Sequence, residues 1–421
     1  MTSVMLPTRS WRDLPSALAA LIAQEFSLPL EPEAPGDHPA LAWRRSGLMA
    51  ITGRLEGKPL IAPVALTTLA DSALSLLETV SGRNSGIACG AQLLGARARM
   101  MGLRRGGAVS ANGSCRILQC GDGHIALNLP RADDWDLIPA LLEGDGAGSW
   151  DEVARSVITR PSEILVERAR MLGLACAAVA PSLETPPFHV AHSRAGEFPG
   201  RQGRERPVVV DLSVLWAGPL AGALLASCGA QVVKVQSIGR PDGALKGHAG
   251  FYSSLNGGKA ERWIDFTSDT GRAELRALID GADIVIESSR PRALRQLGIE
   301  AEEVAAKGAT WVSITAHGRY GFEAHRIGFG DDAAMSGGLG QAMAAVWNEP
   351  LFAGDAIADP LTGILAALLA WTGWMTGGGG LISLALADVV RFACRYGATD
   401  IKQAQEWQRL AEADGAPLYP F

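Results

Sequence analysis

The sequence of 421 residues lacks the cysteine spacing of a disulfide framework or a zinc site. Its six cysteines are scattered, with no CxxC pair and no histidine at metal-ligand spacing. The chain also has no excess of positive charge, since 38 Lys and Arg against 44 Asp and Glu give a formal net charge of -6. General nucleic-acid binding needs massed Lys and Arg to neutralise phosphates. We therefore expect reduced thiols, no metal site and no nucleic-acid partner.

Long apolar runs are missing as well. The most membrane-like stretch, residues 361–375, is about 15 residues long, which is too short to span a bilayer. The N-terminal segment carries Asp13 and Glu25 and lacks the apolar core and cleavage site of an export signal. The sequence predicts a cytoplasmic protein with no membrane segment, and a buried helix over residues 361–375.

The composition is that of a globular chain with many tight turns, with 48% apolar residues and 50 glycines. After residue 207, short apolar runs alternate with helical windows, which predicts βαβ units and a parallel sheet covered by helices. Residues 181–207 are rich in proline, glycine and charge, a composition typical of a linker. Before this segment, two apolar runs flank Asp122-Gly123 and predict a β-hairpin.

A faint internal repeat joins two distant parts of the chain. Six residues recur at a constant offset of 291: Gly47, Pro59, Leu60, Ala62, Gly82 and Gly86 return as Gly338, Pro350, Leu351, Ala353, Gly373 and Gly377. A duplication would give both segments the same helical core. Chance is the alternative, because both regions are rich in glycine and alanine.

Four motifs after residue 206 carry a family resemblance. They are VVVDLSVLWAGPLAG at 208–222, NGGKAERWIDF at 256–266, ESSRP at 287–291 and ITAHGRYG at 314–321. In this order they resemble the class III CoA-transferase family, which includes the formyl-CoA and carnitine-CoA transferases. The resemblance implies an α/β fold, with a doubly wound parallel sheet domain and a smaller mixed α/β domain, and a homodimer.

The resemblance also implies a permuted chain. Residues 1–180 resemble the C-terminal portion of the family, a helical segment followed by the small α/β domain. Residues 181–207 form the linker. Residues 208–421 resemble the CoA-binding doubly wound domain followed by a second copy of the helical segment.

The family's nucleophile is an aspartate in a Gly-(Tyr/Phe)-Asp context, eight residues before a Gly-Leu pair. In this sequence that position is Gly330, ahead of Gly338, and Asp331 and Asp332 follow it at once. A shift of the turn by one residue would present Asp331, or alternatively Asp332, to a thioester. Alternatively, the two acids cap the helix that begins near them, because carboxylates satisfy free amides at a helix N-terminus.

Further residues are assigned to CoA binding by the resemblance. Trp216 stands where the family commonly has Gln, and Ser288 stands where it has Asn. Cations after successive strands would face the CoA phosphates. The predicted CoA-binding set is Trp216, Ala217, Gly218, Arg240, Lys246, Ser288 and Arg295, with Lys259 and Arg290 as additional cations.

The sequence therefore predicts transfer of CoA between carboxylic acids through an aspartyl intermediate at Asp331 or Asp332. The partners are an acyl-CoA thioester and a small carboxylic acid, and no cofactor is held permanently. Because the expected nucleophile is absent, a non-catalytic CoA-binding or assembly subunit is the alternative. A racemase is a weaker alternative, because its family counterparts place His beside the Asp, where this sequence has Phe329.

Overall fold

The computed structural model describes residues 6–32, 36–144, 147–180, 184–192 and 205–417. The first part of the chain is helical. Helix α1 buries Leu14, Leu18 and Ile22, which recur every fourth residue and so share one face. The elements of this part are β1 (Arg9–Ser10), α1 (Leu14–Phe26), α2 (Pro39–Arg45), α3 (Leu66–Ser81), α4 (Gly90–Leu94) and α5 (Ala96–Met101).

A small domain with its own apolar core follows. Its antiparallel sheet has the order β2-β3-β4, and the pairing of Cys120 with Gly123 confirms the hairpin predicted at Asp122-Gly123. The elements are β2 (Cys115–Cys120), β3 (Gly123–Asn128), α6 (Ile138–Leu141), α7 (Trp150–Val157), α8 (Ser162–Leu172) and β4 (Ala175–Ala178).

The large sheet has the strand order β5-β11-β10-β9-β6-β7-β8. Six of its strands are parallel, and the edge strand β5 runs antiparallel to β11. Without that edge strand the order is the doubly wound one, which confirms the predicted fold class. The strands are β5 (His189–His192), β6 (Val208–Asp211), β7 (Gln231–Ser237), β8 (Ala260–Ile264), β9 (Ile284–Glu287), β10 (Thr310–Thr315) and β11 (Gly380–Ala385), and the short β12 (Tyr396–Gly397) pairs separately with β1.

Helices cover both faces of this sheet, as the alternation of its strand residues requires. Val209 and Ile284 belong to one core and Val210 and Val285 to the other, because successive side chains of a strand point to opposite faces. The helices are α9 (Ala217–Ser227), α10 (Ala249–Asn256), α11 (Asp269–Asp280), α12 (Pro291–Gln296), α13 (Ala301–Ala306), α14 (Gly330–Ser336), α15 (Leu339–Trp347), α16 (Ala358–Met375), α17 (Leu386–Cys394) and α18 (Ile401–Ala413).

The sequence repeat corresponds to a structural repeat. Helix α2 lies 291 positions before α14, and α3 lies at the same offset from most of α16. Gly47 and Gly338, related by this offset, both have positive φ angles, 83° and 101°, and each precedes a helical segment. Both copies contribute to one apolar core with the large sheet. The equivalent elements favour duplication over chance.

The predicted linker at 181–207 and the predicted buried helix at 361–375 can be compared with the structure. Part of the predicted linker, residues 181–183 and 193–204, lies outside the described residues, but the described residues His189–His192 form β5. Residues 361–375 lie in α16, which is buried along most of its length. Among the helices of the described ranges, none combines the length and apolar character needed to cross a membrane.

Candidate active site at the Gly330 turn

Asp332 serves as the cap of α14. Its Oδ1 accepts the backbone N–H of Phe329 at 2.9 Å and the side-chain amide of Asn128, on β3, at 3.1 Å. The side chain is fully buried. The capping alternative considered from the sequence therefore holds for this residue, since its carboxylate satisfies an amide at the helix N-terminus.

Asp331 points to the loop that leads into α16. Its Oδ1 accepts the backbone N–H of Ala356 at 2.9 Å, and Asn112 donates to its Oδ2 at 3.4 Å. The residue is 4% exposed. Burial, together with the negative charge of Asp355, raises the pKa of Asp331 to about 7.

A buried ion pair lies beside these acids. Arg97, on α5, donates from Nε and Nη2 to the two carboxylate oxygens of Asp355 at 2.7 and 2.6 Å. Its guanidinium also lies 4.6 Å from the ring centroid of Trp216, whose other neighbour is Phe251 at 5.1 Å between ring centroids. Trp216 thus presents an aromatic face to a cation.

Asp359 is the second residue of α16 and completes the cluster. The backbone N–H of Gly330 donates to its carboxylate, and burial raises the pKa of Asp359 to about 7 against the opposing charge of Arg97. A Cβ atom on Gly330 would overlap both Asp359 Oδ2 and the carbonyl oxygen of Ala356. Asp359 as a residue is partly accessible, unlike Asp331, but its carboxyl group is buried.

The acid cluster, Asp331, Asp355 and Asp359 around Arg97, holds more carboxyl groups than its guanidinium neutralises. Asp355 uses both of its oxygens on Arg97. The other two acids, with pKa values of about 7, are partly protonated at neutral pH. A carboxylate of raised basicity beside a cation has the properties needed for attack on a carbonyl carbon.

A histidine and a serine lie on the other side of Asp332. His317 Nε2 is 3.8 Å from Asp332 Oδ2, and Ser336 Oγ is 3.5 Å from His317 Nδ1. These separations are too long for a proton relay in this conformation. Burial lowers the pKa of His317 and so favours its neutral form.

Three of the predicted CoA-binding residues lie after neighbouring strands, at the position that is the ligand crevice in doubly wound folds. Ala217 and Gly218 begin α9 after β6, and Ser288 follows β9. Strands β6 and β9 are neighbours at the point where the strand order reverses, which is where ligands of doubly wound folds bind. The hydroxyl of Ser288 accepts the backbone N–H of Val214 at 2.9 Å, so it helps to shape the crevice.

The predicted cations fall into two groups. Arg240 and Lys246 are exposed after β7. Burial lowers the pKa of Arg290, and the charges of Arg292, Arg240 and Arg131 lower it further, so these guanidinium groups lie near one another. No acidic side chain of the described chain forms an ion pair with Arg240 or Arg290.

Two other predicted cations already have acidic partners. Arg295 Nε lies 3.0 Å from Glu300 Oε2, and Arg295 Nη2 lies 3.5 Å from Glu302 Oε1. Lys259 is buried and donates to Asp211 at 2.8 Å. A phosphate at either residue would therefore compete with a carboxylate.

Arg97, Asp355 and Asp359 are not among the residues predicted from the sequence. Arg97 and Asp355 are 258 residues apart, and no motif connects them. Asp359 precedes Pro360 at the start of an apolar helix, a signal that predicts a helix N-terminus and no chemistry.

Comparisons with known proteins agree with the motifs. The family model described as CoA-transferase family III matches residues 207–417. A succinyl-CoA–D-citramalate CoA-transferase of Chloroflexus aurantiacus is 30% identical over 169 residues, which cover 38% of this chain and 42% of that protein. A succinate–glutarate CoA-transferase of Agrobacterium fabrum is 31% identical over 202 residues, which cover 43% of this chain and 50% of that protein.

The crystal structure of a CAIB/BAIF family protein from Brucella suis is 28% identical, with a TM-score of 0.38 over 48% of this chain and 55% of that one. The chain spans about half the length of the curated relatives it matches. Because the family model covers half of the sequence, including the crevice and the Gly330 turn, this chain belongs to CoA-transferase family III.

Proposed function

We propose that this protein transfers CoA between carboxylic acids through an aspartyl intermediate at the Gly330 turn. The observation that carries the proposal is the acid cluster beside Arg97, in which Asp331 and Asp359 have pKa values of about 7. Of the two nucleophiles predicted from the sequence, Asp331 fits better than Asp332. Asp332 is fully buried and caps α14.

The reaction exchanges one thioester for another of similar energy, so it needs no ATP. A carboxylate oxygen attacks the acyl carbonyl carbon, the C–S bond breaks, and a mixed anhydride and a CoA thiolate form. The thiolate then attacks the aspartyl carbonyl carbon and releases the first acid, which leaves an aspartyl thioester. The acceptor's carboxylate attacks that thioester and releases the thiolate, which attacks the acceptor's carbonyl to give the new acyl-CoA and free the aspartate.

CoA binding is assigned to the crevice and the arginines next to it. The backbone amides of Ala217 and Gly218 form the N-terminus of α9, and a helix N-terminus stabilises negative charge. Arg240 and Arg290 supply cations for the phosphates. The substrates are an acyl-CoA and a small carboxylic acid, and succinyl-CoA is the first thioester to test because two of the relatives are named for succinyl-CoA or succinate.

The proposal extends to assembly and location. On the family resemblance and the composition, we propose a homodimer with a cytoplasmic location and no permanently held cofactor. Light scattering on the purified chain tests the dimer, and a monomeric mass would refute it.

A non-catalytic CoA-binding or assembly subunit is the second candidate. It is favoured by the loss of the side chain at Gly330 and by the contact of Trp216 with Arg97, which places an indole where the family has a polar group. In that case the crevice would hold CoA while no carboxylate exchanged it.

Isotope exchange separates the two candidates without knowledge of the natural acceptor. The purified chain is incubated with succinyl-CoA and [14C]succinate, and in parallel with acetyl-CoA and [14C]acetate. Appearance of label in the thioester supports transfer. Calorimetric binding of CoA with no exchange of either label would refute transfer and support the binding subunit.

Arg290→Ala tests the phosphate site. We expect the affinity for CoA to fall by about tenfold, because a charge-assisted hydrogen bond is lost. Arg295→Ala is the matched control, since this arginine is paired with Glu300 and Glu302. Equal CoA affinities of Arg290→Ala and the wild type, measured by calorimetry, would remove Arg290 from the site.

A further inference from the structure

Gly330 occupies the family position of the nucleophile, and the space for its side chain is already filled. A Cβ atom there would overlap Asp359 Oδ2 and the carbonyl oxygen of Ala356. An aspartate therefore does not fit at residue 330 unless α16 moves. A carboxylate is nevertheless present at this place, supplied by Asp359 from the neighbouring helix.

The backbone holds this carboxylate in place. Asp359 lies in the first turn of α16, and the N–H of Gly330 donates to its carboxylate. The three other acids around the turn are more enclosed, with Asp331 4% exposed and Asp332 and Asp355 fully buried. Asp359 as a residue is partly accessible while its carboxyl group is buried, and it is the acid whose carboxylate fills the position of the missing side chain.

The same helix turn approaches the CoA crevice. Gly363, four residues after Asp359, packs so closely on α9 that a Cβ there would lie 2.6 Å from the carbonyl oxygen of Ala217. Arg97 connects the two sides, since it contacts Trp216 at 4.6 Å and its charge acts on Asp359. The start of α9, assigned above to CoA, is thus linked to Asp359 by the packing of α16 on α9 and by the charge of Arg97.

We propose that Asp359 is the nucleophile of the transfer reaction and replaces the side chain that residue 330 lacks. This inference rests on the proposed function. Asp331 and Asp332 are then positioning residues: Asp331 holds the N–H of Ala356 in the loop before α16, and Asp332 caps α14. Gly330 is the residue that leaves room for the incoming carboxylate.

Oxygen transfer identifies the nucleophile directly. In each turnover the acceptor's oxygen stays on the enzyme's aspartate when the thiolate attacks the acceptor's carbonyl carbon. The wild-type chain is therefore incubated with succinyl-CoA and succinate labelled with 18O in its carboxylates, then digested and fragmented in a mass spectrometer. We expect the 18O to be located on Asp359.

Two variants complement the mapping. Asp359→Asn is expected to lower the exchange rate by at least about a thousandfold, as removal of a nucleophile does. Asp71→Asn is the matched control and is expected to leave the rate unchanged. Asp71 lies on α3, the repeat copy of α16, accepts the N–H of Ala91 at 2.8 Å, and has a pKa raised by burial to about 6.

The outcomes separate the two proposals. Exchange with 18O on Asp331 or Asp332, or with no labelled aspartate, overturns the assignment to Asp359 and leaves transfer of CoA intact. Absence of exchange in the wild-type chain overturns the proposed function and the assignment with it. Because the mapping uses the wild-type chain, it decides the question even if Asp359→Asn does not fold.

Discussion

The ion pair of Arg97 and Asp355 gives a prediction whose magnitude follows from burial. In Arg97→Met, Asp355 stays fully buried without its bidentate partner, next to Asp331 and Asp359. Removing one member of a buried pair costs about 3–5 kcal/mol, because the remaining charge is left uncompensated. We expect the free energy of unfolding to fall by that amount at pH 7.

The measurement is urea unfolding followed by circular dichroism, with two comparison variants. Arg12 also lies over an indole, 4.7 Å from the ring centroid of Trp11, but it is exposed at the surface. Arg12→Met should therefore lower the free energy of unfolding by less than about 1 kcal/mol. The double variant Arg97→Met/Asp355→Leu removes both charges, and should recover most of the loss. Equal effects of Arg97→Met and Arg12→Met, or no recovery in the double variant, would refute the reasoning.

Two further predictions concern the same turn. Gly330→Ala should lower the stability by about 1–3 kcal/mol in thermal unfolding, because its Cβ meets Ala356 and Asp359, whereas Gly239→Ala, with open space around it, should have little effect. Asp331 and Asp359 have pKa values of about 7 in the folded chain and the usual 3.8 when unfolded. Between these values the folded state binds more protons than the unfolded state, so the free energy of unfolding should decrease as the pH rises from about 4 to about 7. Urea unfolding at several pH values checks this, and a double variant with both acids changed to Asn that keeps the full decrease would contradict it.

Local patterns were sufficient for most of the fold. The alternation of apolar strands and helical windows after residue 207 predicted a parallel sheet, because each strand must bury two faces under helices. Asp122-Gly123 predicted the hairpin, because these residues tolerate the turn geometry. The edge strand His189–His192 was missed, since a short antiparallel strand within a proline-rich segment has no periodic signal of its own.

The sequence predicted the position of the candidate site but not the roles of its acids. The sequence alone located the turn and the crevice, because glycines and helix starts are local features, and it revealed that residue 330 carries no carboxylate. It also left open whether Asp331 and Asp332 cap a helix or react, since both roles use the same residue type at the same place. The tertiary structure decides this for Asp332, whose carboxylate accepts the backbone N–H of Phe329 and so caps α14.

The sequence by itself determined the family, the doubly wound class and the missing acid at Gly330, because motif order and periodicity are properties of the amino-acid sequence alone. Only the tertiary structure placed Arg97 against Asp355 and brought Asp359 to the space beside Gly330. The reason is physical: burial raises the pKa of Asp359 to about 7 against the charge of Arg97, and both the burial and Arg97 come from elements that meet α16 only when the core packs.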